Sequence, residues 1–141
     1  MGNSQSHIQK INFEDMQIVI KNSELYLIIN TLSENEQDCL INNTITASKE
    51  ESTINKYLNN YNKNIQIIIY GKNCNDEKIY KKYQQLVSLG FRNIYIYPGG
   101  IFEWLMLQDI YGFTEFPTTI KQLDFIKYKP NSVLNISLIE Y

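Results

Sequence analysis

The side chain best placed for chemistry in this sequence is Cys74, one of two cysteines among 141 residues. It lies in the loop Gly71-Lys72-Asn73-Cys74-Asn75-Asp76, directly after an apolar run. A cysteine acts as a nucleophile in its thiolate form. Backbone N–H groups converging on it ahead of a helix N-terminus favour that form and draw its pKa below the free value of about 8.5. Lys72 would attract an anionic donor. Asp76 and Glu77 oppose a thiolate unless their carboxylates turn to the first N–H groups of the helix instead. The only histidine, His7, belongs to the N-terminal tail, which sets aside Cys–His and Ser–His–Asp catalysis. No group of Cys and His has zinc-ligand spacing, so neither a metal nor a cofactor is expected.

The elements that must position this loop are legible on either side of it. Ile65 to Tyr70 is a continuous, β-branched apolar run, the pattern of a strand buried on both faces. Beyond the loop, Ile79, Tyr83, Leu86 and Val87 share one helical face and the lysines and glutamines the other, which predicts a helix over Asp76–Leu89. Asn73, Asn75 and Asp76 offer N-cap oxygens, and Gly90 stands where a left-handed stop is expected. Ile94 to Tyr97 is the next strand. A strand joined through a helix to a second apolar strand is a βαβ unit, so the two strands should be parallel. Chemistry then belongs at the carboxyl end of the central strand, in the loop Gly71–Asn75.

Earlier in the chain, Ile8–Ile11 reads as a short edge strand, and Asn12 caps a helix over Phe13–Lys21. Leu25–Ile29 reads as another buried strand, and Lys49–Tyr61 as a helix with Ile54, Tyr57 and Leu58 inward. After Trp104, residues Leu105, Met106, Leu107, Ile110 and Tyr111 make a helix apolar nearly all round, read as a core helix or as a partner surface. Trp104 itself should anchor that helix from its first turn. Thr119 to Gln122 has capping-box spacing for a short last helix that Pro130 would close, and Leu134, Ile136 and Leu138 alternate as an edge strand or a loose tail would.

The stretch Ile65–Trp104 resembles the rhodanese-like family. In that family a central strand delivers a cysteine loop, then come a helix, a GF(K/R)N-type turn into a strand, and a GGxxxW helix start. The matching residues are Gly90-Phe91-Arg92-Asn93 and Gly99-Gly100-Ile101-Phe102-Glu103-Trp104. The resemblance implies an α/β fold with a mainly parallel five-stranded sheet and helices on both faces, spanning residues 8–117. Residues 1–7 would be a flexible tail and 118–141 an extension packed on or beside the domain. It also implies that the catalytic thiol carries a persulfide. In the family that cysteine follows the strand directly, where this chain has Gly71. Counting back from Gly90 instead puts Cys74 beside the catalytic place, because the loop is enlarged. A phosphatase of this fold would close the loop with an arginine. Asn75-Asp76-Glu77-Lys78-Ile79-Tyr80 contains none, so phosphatase and arsenate-reductase readings fail. The family's Asp-x-Arg pair is replaced by Asn30-Thr31-Leu32, and its Gly-His-Ile-Pro-Gly-Ala stretch survives only in outline at Cys39–Thr44.

Composition bounds the rest. A net charge of −2 with dispersed charges leaves no footprint for nucleic acid. No apolar run approaches a membrane span, there is no secretory core, and two cysteines without framework spacing suit a reducing cytoplasm. Met1-Gly2-Asn3-Ser4-Gln5-Ser6 fits the N-myristoylation pattern at Gly2. One such chain gives weak, reversible membrane association. Two functions are therefore expected: a sulfurtransferase with Cys74 as persulfide carrier and a small sulfur donor, or a catalytically inactive rhodanese-like binding module with a protein partner, tethered through Gly2.

Overall fold

The computed structural model describes residues 7–134. The elements run β1 (Gln9–Lys10), α1 (Phe13–Lys21), β2 (Tyr26–Asn30), α2 (Ala47–Asn59), β3 (Gln66–Tyr70), α3 (Lys78–Ser88), β4 (Asn93–Tyr97) and α4 (Gly100–Tyr111), with one-turn 3₁₀ helices at Ser23–Leu25, Glu34–Glu36 and Phe125–Tyr128. The strands form a four-stranded sheet in the order β1-β4-β3-β2. Every pairing is parallel, with Leu27, Ile67 and Ile94 in one register row and Asn30, Tyr70 and Tyr97 in another.

Strand alternation divides the interior into two layers. Ile28, Ile68, Tyr70 and Tyr97 face Met16 and Val19 of α1 and Ile101, Trp104 and Leu105 of α4. Leu27, Ile29, Ile67, Ile69, Ile94 and Ile96 face Ile54 of α2 and Ile79 and Leu86 of α3. The unbroken apolar runs of β2 and β3 follow from this, because both of their faces are covered. Each fully buried isoleucine contributes about 1.5–3 kcal/mol relative to exposure. No helix among the described residues is long and apolar enough to cross a membrane.

Several expectations need correction. The sheet has four strands among the described residues, not five. The chain beyond β2 touches it only at one isolated bridge, from Thr44 to Ile28, next to Asn43, which turns into the left-handed region at φ 70°. The alternation through Leu138 falls largely outside the described residues. No helix starts at Thr119. Its hydroxyl donates to the Asp38 carbonyl at 2.7 Å and accepts from the Leu40 N–H at 3.0 Å, so it ties the extension to the domain rather than capping. Val87 is 40% exposed, on the edge of the α3 apolar face. Trp104 sits beyond the first turn of α4, since the helix begins at Gly100. By contrast α1 spans the expected residues, with Asn12 and Asp15 forming a reciprocal capping box at its start.

Candidate functional site

The loop after β3 is built by three contacts that reach far along the chain. Its carbonyls are held by the start of α4: the N–H of Ile101 donates to Gly71 and that of Phe102 to Lys72, each at 3.0 Å. Gly100 is required for this approach. Its φ is +68°, and a Cβ there would stand 2.5 Å from the Gly71 oxygen. The Gly99-Gly100 pair thus docks α4 on the loop, and those helix N–H groups serve the protein rather than a ligand.

The second contact centres on Asp76. One carboxylate oxygen of Asp76 accepts from the Lys72 N–H at 3.0 Å and from the Thr31 hydroxyl at 3.0 Å, while the other accepts from the Lys78 N–H at 3.0 Å. Asp76 therefore fills the space between the strand end and the first turn of α3 with a fixed negative charge. A Cβ on Gly71 would lie 2.3 Å from the Asp76 oxygen and 2.7 Å from the Thr31 hydroxyl. A cysteine directly after the strand is incompatible with Asp76 in this position. Asp76, placed just ahead of the helix, satisfies its first N–H as the sequence suggests; Asn73 and Asn75 do not.

Asn73 makes the third contact. It is buried, its oxygen accepts from the Asn75 N–H at 2.9 Å, and its amide donates to the Tyr128 carbonyl at 2.8 Å. Cys74 is exposed, and its Sγ lies 3.8 Å from the Asn75 side-chain oxygen. Lys72 is paired with Glu36 at 3.3 Å. Burial alone would raise the Glu36 pKa, but the Ser33 hydroxyl and N–H, together with Lys72, bring it below the usual carboxylate value. Cys39 is buried with its Sγ 3.6 Å from the Ile120 carbonyl, and burial pushes its thiol pKa up. Among the described residues no group of acidic, histidine or cysteine side chains is arranged to hold a metal.

Where the sequence lacks the Asp-x-Arg ion pair, a neutral pair takes its place. Asn30 and Gln37 exchange amide hydrogen bonds at 3.1 and 2.9 Å, and Asn30 also reaches the Ile45 carbonyl and the Leu32 N–H. Thr31, Lys127, Lys129 and the Tyr128 carbonyl are the site residues that sequence reasoning missed. Thr31 is 45 residues from Asp76 and Tyr128 is 55 from Asn73, so no local spacing announces either contact.

A parallel sheet with a cysteine-bearing loop at the carboxyl end of its central strand, docked on a GG-initiated helix, defines a rhodanese-type α/β domain. The chain belongs to the rhodanese-like domain family, which matches residues 19–107. Solved structures share the fold at low identity. The rhodanese-like domain of the Alr3790 protein from Anabaena is 18% identical over 90% of this chain and 88% of that one, with a TM-score of 0.57. Another structure of the Alr3790 protein covers 77% of this chain and 89% of its own, at 19% identity and a TM-score of 0.56. A thiosulfate sulfurtransferase from Pseudomonas aeruginosa is 14% identical over 74% of this chain, with a TM-score of 0.57, and this chain spans 20% of that protein. No curated protein matches the chain.

Proposed function

We propose that this protein is a rhodanese-like binding module whose anion cradle is closed by its own Asp76. The observation that carries this reading is the Asp76 carboxylate, which takes the Lys72 and Lys78 N–H groups and the Thr31 hydroxyl and leaves no room for a side chain at Gly71. A thiolate there would meet a like charge instead of free donors. The exposed Cys74 lies outside this set of donors. The Met1–Ser6 signal supports a reversible tether through a Gly2 acyl chain, and those residues lie outside the described part of the structure. Intact mass of the wild type and of Gly2→Ala from eukaryotic cells tests the tether.

One observation favours the sulfurtransferase reading: Cys74 is a free thiol at the open mouth of the loop. In that reaction its thiolate attacks the outer sulfur of thiosulfate, the S–S bond breaks, and sulfite leaves with the electron pair. Incubating reduced protein with thiosulfate and measuring intact mass separates the readings. The binding module gains no sulfur. A gain of one sulfur that cyanide removes and Cys74→Ser abolishes would overturn it.

A further inference from the structure

Beside the loop, a cleft of about 260 Å³ opens between Lys72–Lys78 and the C-terminal strap Lys127–Asn131. Its walls carry Lys72, Lys78, Lys127 and Lys129, with the amides of Asn75 and Asn131, in a chain whose net charge is −2. The one carboxylate in its walls, Asp76, already accepts from three donors in the loop and at Thr31. Glu36 holds Lys72 at 3.3 Å, whereas among the described residues no carboxylate lies at ion-pair distance from Lys78, Lys127 or Lys129. Glu77, exposed at the start of α3, is not part of the walls.

The strap is fixed rather than draped. The Asn73–Tyr128 hydrogen bond pins it to the loop and the Tyr128 ring is fully buried, so Lys127 and Lys129, on either side of Tyr128, are held at the rim. Lys127 also lies over the Tyr128 ring, 5.1 Å from its centre.

We infer that this cleft binds a compact ligand carrying several phosphate groups. Lysine ammonium groups bind phosphate as point charges, and here they come from the two facing segments, 72–78 and 127–131. That arrangement spreads positive charge around a rim and suits several anionic groups better than one. The walls offer no exposed aromatic side chain for base stacking and no extended basic track, which argues against a polynucleotide. The inference names the ligand class of the binding module proposed above and rests on that reading.

The test is a titration of the isotope-labelled full chain with tripolyphosphate, followed by amide NMR. Shifts should concentrate at residues 72–78 and 127–131, affinity should fall as salt rises, and monophosphate should bind about tenfold more weakly. The double variant Lys127→Gln/Lys129→Gln changes two exposed side chains, and it should keep its melting temperature while losing about tenfold in affinity. No shift at the cleft, equal affinity for monophosphate, or unchanged affinity in the double variant would overturn the proposal. A second arm uses vesicles containing a phosphoinositide and protein lacking the acyl group. Binding to both probes assigns the phosphates to a lipid headgroup, and binding to tripolyphosphate alone assigns them to a soluble ligand. Persulfide formation on Cys74 is read separately by mass, so failure here leaves the module reading standing, and failure of that reading leaves this titration interpretable.

Discussion

Asn73 and Tyr128 are 55 residues apart, and the amide of the first donates to the backbone carbonyl of the second at 2.8 Å. That hydrogen bond couples the loop after the central strand to a strap that lies beyond the family match at residues 19–107. Asn73→Ala should leave the Tyr128 carbonyl and the Asn75 N–H without their partner, at a cost of about 1–3 kcal/mol. Denaturant unfolding measures the loss. Hydrogen exchange should rise at residues 125–129 before it rises in β3, and equal exchange in both segments would mean the clamp is not local.

Asp76 and Gly71 pack against each other at the end of β3, with the Asp76 carboxylate in the space a Gly71 side chain would need. Gly71→Cys alone should be strongly destabilising, because the new Cβ would stand 2.3 Å from the Asp76 oxygen. Asp76→Ala alone should cost about 1–3 kcal/mol by stranding its donors. Together they should cost less than the sum, since removing the carboxylate makes room for the thiol. A double-mutant cycle of unfolding free energies checks this. In a Cys74→Ser background the double variant should gain one sulfur from thiosulfate, the outcome expected if Asp76 is what blocks the site.

Trp104 is 0% exposed, packs edge-on against Tyr97 and Phe116, and donates its indole N–H to the Pro117 carbonyl at 3.1 Å. Trp104→Ala should cost about 3–5 kcal/mol. A loss below about 1 kcal/mol in urea unfolding would contradict the packing described for α4.

The Tyr128 hydroxyl is buried and has no hydrogen-bond partner among the described residues. Tyr128→Phe removes an unsatisfied polar atom while keeping the ring, and should raise stability by up to about 1 kcal/mol. A drop of that size would reveal a partner such as a buried water.

Alkaline pH should unfold the protein. Burial raises the folded-state pKa values of Cys39, Tyr70, Tyr97 and Tyr128 above ordinary values of 9.0 for the thiol and 10.0 for the phenols. The unfolded chain therefore binds fewer protons than the native one once the pH passes about 9, and stability falls as pH rises. Melting temperature should be insensitive to these groups below that value, decline first through Cys39, and decline more steeply beyond about pH 10. Cys39→Ala should remove the earliest part of the decline.

By itself the sequence determined the layered α/β architecture and the place of the loop. Those depend on periodicity and on short-range chemistry: the two-sided apolar runs of β2 and β3, the α1 capping box and the left-handed Gly90 after α3 are each set by residues close in the chain. Strand number was harder to read, because Thr44 meets β2 only as an isolated bridge, which the sequence pattern does not distinguish from a ladder. The state of the candidate site was decided only in three dimensions. Cys74, Gly71 and Asp76 are visible in the sequence, but which of them occupies the helix N-terminus depends on Thr31, and the charge around the loop depends on Lys127 and Lys129. These partners arrive through sheet pairing and through a strap docked by Asn73. Hydrogen bonds and electrostatic forces act across space irrespective of sequence distance, so only the folded chain brings a carboxylate, its donors and a rim of lysines to one place.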